Sequence, residues 1–129
     1  MIKVLVLDDE KGLCEDIKEF FVYRGYKVFA ATSGEQAVSI INKEKLDILV
    51  LDIKMEGIDG LKVLKTAKEK DPKVKAIMVT ALRDDDMKRQ ALSLGASEYV
   101  TKPFSYEKIE TIIIHMVNQI LKEREEATK

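Results

Sequence analysis

The sequence predicts an α/β protein of the doubly wound class: a five-stranded parallel sheet, order 2-1-3-4-5, with five helices on its two faces. Three observations predict it. Five short apolar runs recur, at residues 2–7, 27–31, 48–51, 76–79 and 99–100. They are rich in Val, Ile and Leu and mostly lack polar alternation, as strands buried on both faces do. Segments of helical apolar spacing separate each run from the next. Strict alternation of strand and helix implies right-handed crossovers and a parallel sheet covered on both sides. Five strands with five helices suit the order in which the winding reverses between strands 1 and 3, so a ligand crevice is expected at the carboxyl ends of those two.

The elements follow in order. The first strand ends at Leu7, and Leu13, Ile17, Phe20 and Phe21 then share one helical face. After the second strand, Ser33 and Gln36 predict a capping box ahead of Ala37, Ile40 and Ile41. The third strand leads to a helix carrying Leu61, Leu64 and Lys68, closed by Pro72. The charge-rich stretch 68–75 reads as a solvated loop. Beyond the fourth strand, Asp84, Asp85 and Asp86 suit the start of a helix with Met87, Ala91 and Leu94, and Gly95 closes it. Ser105 caps the fifth helix. Its Ile109, Ile112, Ile113, Met116 and Ile120 are expected to face the sheet. Ile114, Val117 and Leu121 widen that arc beyond what one covered face requires. Either the first helix covers them, or they join the fourth helix and fifth strand in a partner surface. His115 stands alone on a polar face and reads as solvent-exposed.

At 129 residues the chain fits one domain, expected over 1–121, with 122–129 a charged tail or the start of a linker that frays. Hydrophobic residues at 46% suffice for a core, and charged residues at 35% for a strongly solvated surface. Lys and Arg number 22 against 23 Asp and Glu, so no basic excess points to nucleic acid or an anionic membrane. A single cysteine, Cys14, excludes an intramolecular disulfide and suits a reducing compartment, where it reads as a small buried side chain. The amino-terminal segment lacks the pattern of a signal peptide, and no run approaches the ~18 apolar residues of a membrane span. A cytoplasmic protein is expected.

The strand ends carry the chemistry. Strand 1 runs into Asp8 and Asp9, strand 3 into Asp52, strand 4 into Thr80, and strand 5 is followed by Lys102 and Pro103. Taken singly, each has an ordinary reading as a cap, a turn residue or a solvated lysine. Together they fall on one rim of one sheet, where three crowded carboxylates require raised pKa values or a bound cation. A hard divalent ion such as Mg²⁺ suits oxygen ligands and leaves positions for a phosphate. A carboxylate can also attack a phosphoryl group to give an aspartyl phosphate, with a lysine and a hydroxyl stabilising the transferring oxygens.

Asp8-Asp9-Glu10, Leu51-Asp52, Val79-Thr80-Ala81 and Lys102-Pro103-Phe104 together resemble the signature of response-regulator receiver domains of two-component signalling, which have a flavodoxin-like fold. The resemblance covers residues 2–121 and is similar to the chemotaxis regulators. It implies that Asp52 is the phosphoacceptor. It implies that Asp9 ligates Mg²⁺ directly, Asp8 through water, and Lys54 through its backbone carbonyl. Thr80 matches the switch hydroxyl, with the Ala81 amide beside it, and Lys102 matches the lysine that pairs first with the acceptor and then with its phosphoryl group. Tyr99 matches the aromatic switch, and the Lys102-Pro103 peptide is expected to be cis. Implied partners are a sensor histidine kinase and an output domain or second copy, met through the face of helix 4, strand 5 and helix 5. Such a chain is no metabolic enzyme and catalyses only its own phosphotransfer and dephosphorylation. One departure is Glu56, where the family commonly has proline, which implies a looser loop and a further carboxylate near the metal. Lys54 and Leu82 occupy positions that tune the phosphorylation lifetime in the family, and that lifetime stays open.

Other classes fit less well. A phosphatase of the haloacid-dehalogenase type needs a second Asp two residues after its nucleophile, where this chain has Lys54. A flavodoxin-like cofactor carrier needs a glycine-rich or hydroxyl-rich phosphate loop after strand 1, which is absent here. A pure interaction module with a vestigial site would not need the full set of acceptor, acidic pair, threonine and lysine.

Overall fold

The computed structural model describes residues 1–55 and 57–128. Its elements run β1 (Lys3–Leu7), α1 (Lys11–Tyr23), β2 (Lys27–Ala31), α2 (Gly34–Lys43), β3 (Ile48–Leu51), α3 (Gly60–Lys70), β4 (Lys75–Thr80), α4 (Asp85–Ser93), β5 (Glu98–Thr101) and α5 (Tyr106–Ala127). All strands pair in parallel in the order β2-β1-β3-β4-β5, as the alternation predicts. β5 is longer than its apolar run because it is an edge strand: Glu98 is exposed and Thr101 half-buried, and neither adds to the apolar signal.

Successive strand residues point to opposite faces and feed two cores. Leu5, Leu7, Leu49, Leu51 and Met78 pack with α2, α3 and α4, whereas Val4, Val6, Val50, Ile77 and Val79 pack with α1 and α5. The three inner strands are apolar on both faces because helices cover both.

Side chains at the helix starts take up otherwise unpaired amides. Ser33 accepts from the Gln36 amide at 3.1 Å, and Gln36 returns to the Thr32 amide rather than to that of Ser33, a shifted capping box. Asp59, Asp84 and Ser105 cap α3, α4 and α5 in the same way. Gly95 takes a positive φ of 105° just after α4, the left-handed turn that glycine adopts without strain.

Two expectations about α5 change. The helix continues to Ala127, and its last turns are fastened to the sheet: Glu123 meets Lys75 at 2.7 Å, and Arg124 pairs with Asp47. Residues 122–127 are therefore helical rather than frayed. Earlier in the helix, Glu110 pairs with Arg24 at the end of α1. Ile114 and Leu121 continue the stripe that Glu110 begins and remain 48% and 52% exposed, while Val117 is half-buried. α1 does not cover them. They lie on the α1 side of α5, opposite the flank where Glu123 meets β4, so they do not form one surface with α4 and β5.

Gly60, the first residue of α3, sits directly against Asp52, and a Cβ there would collide with the Asp52 carbonyl and the Ile53 Cα. A glycine-to-alanine change in an open helical position gains about 0.5–1 kcal/mol. Forcing atoms into a packed site costs about 1–3 kcal/mol, so at Gly60 the clash wins. Gly60→Ala is expected to lower urea stability by about 1–2 kcal/mol. Gly12→Ala, on an α1 surface with nothing within 4 Å of the added carbon, is expected to raise it by about 0.5 kcal/mol.

Candidate functional site

Strand register builds the site. Leu7 of β1 pairs with Leu51 of β3, so Asp8 and Asp52 leave the sheet side by side. The ladder extends past the strands, with the Asp52 amide donating to the Leu7 carbonyl and the Asp8 amide to Ala31. At the far edge Thr80 pairs with Thr101, and the Lys102 amide donates to the Thr80 carbonyl at 2.8 Å. The cis Lys102-Pro103 peptide expected from the sequence is present.

Asp8, Asp52 and Lys102 meet directly. Lys102 Nζ lies 2.6 Å from Asp8 Oδ2 and 2.9 Å from Asp52 Oδ2. The remaining carboxylate oxygens have backbone donors: Asp8 Oδ1 accepts from the Glu10 amide at 2.9 Å, and Asp52 Oδ1 from the Lys54 amide at 3.1 Å. Asp8 and Asp52 are only 3% and 6% exposed, while Asp9 stands open to solvent at the rim. Each of the three carboxylates places an oxygen within 4.8 Å of the others. Neither aspartate at the end of β1 caps α1, since the capping position falls to Glu10, which makes no side-chain cap.

Burial pushes the Asp8 carboxyl above its usual range, against the hydrogen bonds from Lys102 and the Glu10 amide, and the Asp52 charge adds to the rise. Burial pulls Lys102 the other way, but its hydrogen bonds to Asp8 and Asp52 and their charges prevail and hold its pKa above the ordinary value. One ammonium thus meets two of three clustered carboxylates. These are hard oxygen donors in excess negative charge, a set that fits a small hard divalent cation.

A second group adjoins the first. Thr80 is fully buried, and its hydroxyl oxygen accepts from the Leu82 amide at 3.4 Å. The Tyr99 hydroxyl donates to the Leu82 carbonyl at 2.8 Å, and burial raises its pKa, so it stays a neutral donor. Tyr99 is thus already packed inward against the α2–α4 core. Leu82 joins the two side chains through its backbone alone, and residue type gives no sign of such a role. Ala81 and the Lys54 side chain are exposed beside the site, and His115 is exposed far from it in sequence, on α5. Glu56 lies outside the described residues.

Lys102 gives one test of this electrostatic account. Lys102→Met keeps the alkyl stem but leaves Asp8 and Asp52 facing each other. Breaking a fully buried pair costs about 3–5 kcal/mol. Lys102 is 19% exposed, so a loss of about 2 kcal/mol is expected in chelator. Saturating Mg²⁺ should shrink that loss, because carboxylates freed of the competing ammonium bind the cation more tightly, so mass action stabilises Lys102→Met more than the parent chain. A raised lysine pKa contributes stability in full below the unfolded value of 10.5, lost as pH rises through the higher folded value. Urea titrations should show that alkaline loss in the parent protein and not in Lys102→Met.

Comparison with known proteins gives the family. The family model of the response regulator receiver domain matches residues 4–114. Sporulation initiation phosphotransferase F of Bacillus subtilis is 37% identical over 107 residues, covering 83% of this chain and 86% of that protein. Response regulator SaeR of Staphylococcus aureus is 34% identical over 122 residues, covering 95% of this chain and 53% of that protein, so the chain spans about half of SaeR. The solved receiver domain of the Francisella response regulator 1452 is 34% identical, with a TM-score of 0.79 over 96% of this chain and 98% of that one. The chain belongs to the response-regulator receiver domains of two-component signalling, which act as switches and not as metabolic enzymes.

Proposed function

We propose that Asp52 accepts the phosphoryl group through which this receiver switches. The observation that carries the reading is the buried Asp52 carboxylate, held by the Lys54 amide and Lys102 Nζ beside Asp8 and Asp9. A carboxylate oxygen of Asp52 forms the new P–O bond. The donor's P–N bond breaks if it is a histidine kinase phosphohistidine, and its P–O bond if it is an acyl phosphate; the electron pair leaves with imidazole or carboxylate. Asp8, Asp9, Asp52 and the Lys54 carbonyl would hold Mg²⁺, which when bound supplies charge neutralisation at the phosphoryl oxygens. Lys102 shifts its ammonium from the Asp52 carboxylate to the new phosphoryl group, while the Thr80 hydroxyl and Ala81 amide donate to its oxygens.

The product adds about −1.5 to −2 charge at pH 7. Such a change shifts a conformational equilibrium only through differential interaction with the two states. Thr80 supplies that difference. To donate to a phosphoryl oxygen its hydroxyl must turn, and the Leu82 amide that it now accepts from must follow or lose its partner. The Leu82 carbonyl holds Tyr99, so the rearrangement reaches β5 and the start of α4. The face of α4, β5 and α5 is the proposed output surface, for a partner, an output domain or a second copy. We place the receiver unit at 1–121, with 122–127 as further turns of α5 fastened to the sheet. No described helix is long and apolar enough to cross a membrane, and we place the switch in the cytoplasm, opposite a sensor histidine kinase.

Acetyl phosphate with Mg²⁺ is expected to add one phosphoryl group to the parent chain and none to Asp52→Asn, read by intact mass. Equal modification of both would refute the assignment. Thr80→Ala is expected to take up phosphate yet leave the amide resonances of α4 and Tyr99 close to their unphosphorylated positions. Shifts as large as those of the parent chain would show that Thr80 does not carry the coupling.

A further inference from the structure

We infer that Glu35 is a positioning residue for the phosphoacceptor, acting from α2 through the backbone of the loop that follows Asp52. This rests on the reading of Asp52 as the acceptor. The loop leaves β3 at Asp52 and returns at Gly60, so closely that a Cβ on Gly60 would strike the Asp52 carbonyl. The Gly60 amide donates to the Ile53 carbonyl at 3.1 Å and closes the loop at its base. Its far side is held from α2. Glu35 Oε1 accepts from the Ile58 amide at 3.2 Å. Gly34, buried at the start of the same helix, lies so close that a Cβ there would collide with the Ile58 carbonyl. Gly57 has a φ of 75°, and a Cβ on it would come within 2.7 Å of Glu35 Oε1. Glycines at 34 and 57 thus leave room for the carboxylate and the loop backbone to meet.

The loop in turn holds the acceptor. The Lys54 amide donates to Asp52 Oδ1 at 3.1 Å, while Lys102 holds Oδ2. Displacing the loop withdraws the Oδ1 donor and moves the Lys54 backbone. Asp52 then keeps only the lysine as a fixed partner and can swing toward it. Glu35 therefore influences Asp52 orientation without touching it.

A first-turn acid also stabilises a helix by its charge near the N-terminus, so the test separates charge from hydrogen-bond acceptance. Glu35→Gln keeps an acceptor oxygen and loses the charge; Glu35→Ala loses both. In Glu35→Ala, amide exchange at Ile58 should accelerate about three- to tenfold, the worth of one exposed hydrogen bond. Phosphorylation of the full chain by acetyl phosphate with Mg²⁺ should slow by a similar factor, with the urea midpoint lowered only by the small amount that one surface hydrogen bond and one first-turn charge supply. Glu35→Gln should stay close to the parent chain in both readouts. Gly34→Ala, which pushes on Ile58 directly, should shift the Lys54 amide resonance. Unchanged Ile58 exchange or an unslowed reaction in Glu35→Ala would overturn the inference. So would a Glu35→Gln as impaired as Glu35→Ala, or a Lys54 amide indifferent to Gly34→Ala. Modification persisting in Asp52→Asn would instead overturn the acceptor assignment, whatever the Ile58 exchange rate.

Discussion

The repulsion among Asp8, Asp9 and Asp52 is the constraint from which the rest of the molecule follows. Two of these carboxylates are buried at the ends of adjacent strands, a position that each would avoid if its charge had no partner. Lys102 answers part of that repulsion by bridging Asp8 and Asp52 from the far end of the sheet. It does so because β4 lies between β3 and β5, and the Lys102 amide extends the ladder from Thr80. The unanswered charge is what fits the cluster to a small hard cation. A neutral, well-paired cluster here would have nothing to attract one.

Such a site needs a rigid platform, and the two cores provide it. The inner strands β1, β3 and β4 carry buried residues at nearly every position, so the strand ends cannot shift independently. At the opposite pole a second set of charges is fully answered. Asp47 accepts from the Lys3 amide at 2.9 Å and from Arg124, and Lys75 meets Glu123. These contacts tie α5 to the starts of β3 and β4. At its other end α5 is fixed by the Ser105 cap and by the stacking of Tyr106 on Phe20, 5.1 Å between centroids. One pole stores unbalanced charge and the other fastens the frame.

Much of this was legible in the sequence, because side-chain type carries it. Apolar runs betray strands covered on both faces, and Asp or Lys immediately after such a run betrays a rim. The contributions that stayed hidden are backbone ones. Leu82 works through its amide and carbonyl, and Gly34 and Gly60 through the absence of a Cβ. Partner-dependent features were equally silent: the charged stretch 122–127 reads as a fraying tail until Asp47 and Lys75 come to face it. The exposed stripe of Ile114 and Leu121 was visible as excess apolarity, but which neighbour it faced was not, since a helical repeat fixes angles within a helix and not the helix's place on the sheet.

The distribution of burial also explains why a signal at Asp52 would leave by one side. α3 buries five residues, Gly60, Leu61, Val63, Leu64 and Ala67, and its first turn presses on Asp52 itself. Moving it would open a core. α4 buries Ala91 alone, and β5 is an edge strand whose pattern is mostly half-exposed. Elements with few buried apolar contacts have the lowest free energy of local rearrangement. A phosphoryl group that pulls on Thr80 therefore meets stiff resistance toward α3 and little toward α4 and β5. Leu82 lies between Thr80 and α4 and holds Tyr99 on β5. The elements with the least buried apolar surface thus hang from the same backbone group that the Thr80 hydroxyl touches, and on the proposed reading the output would leave where the core is thinnest.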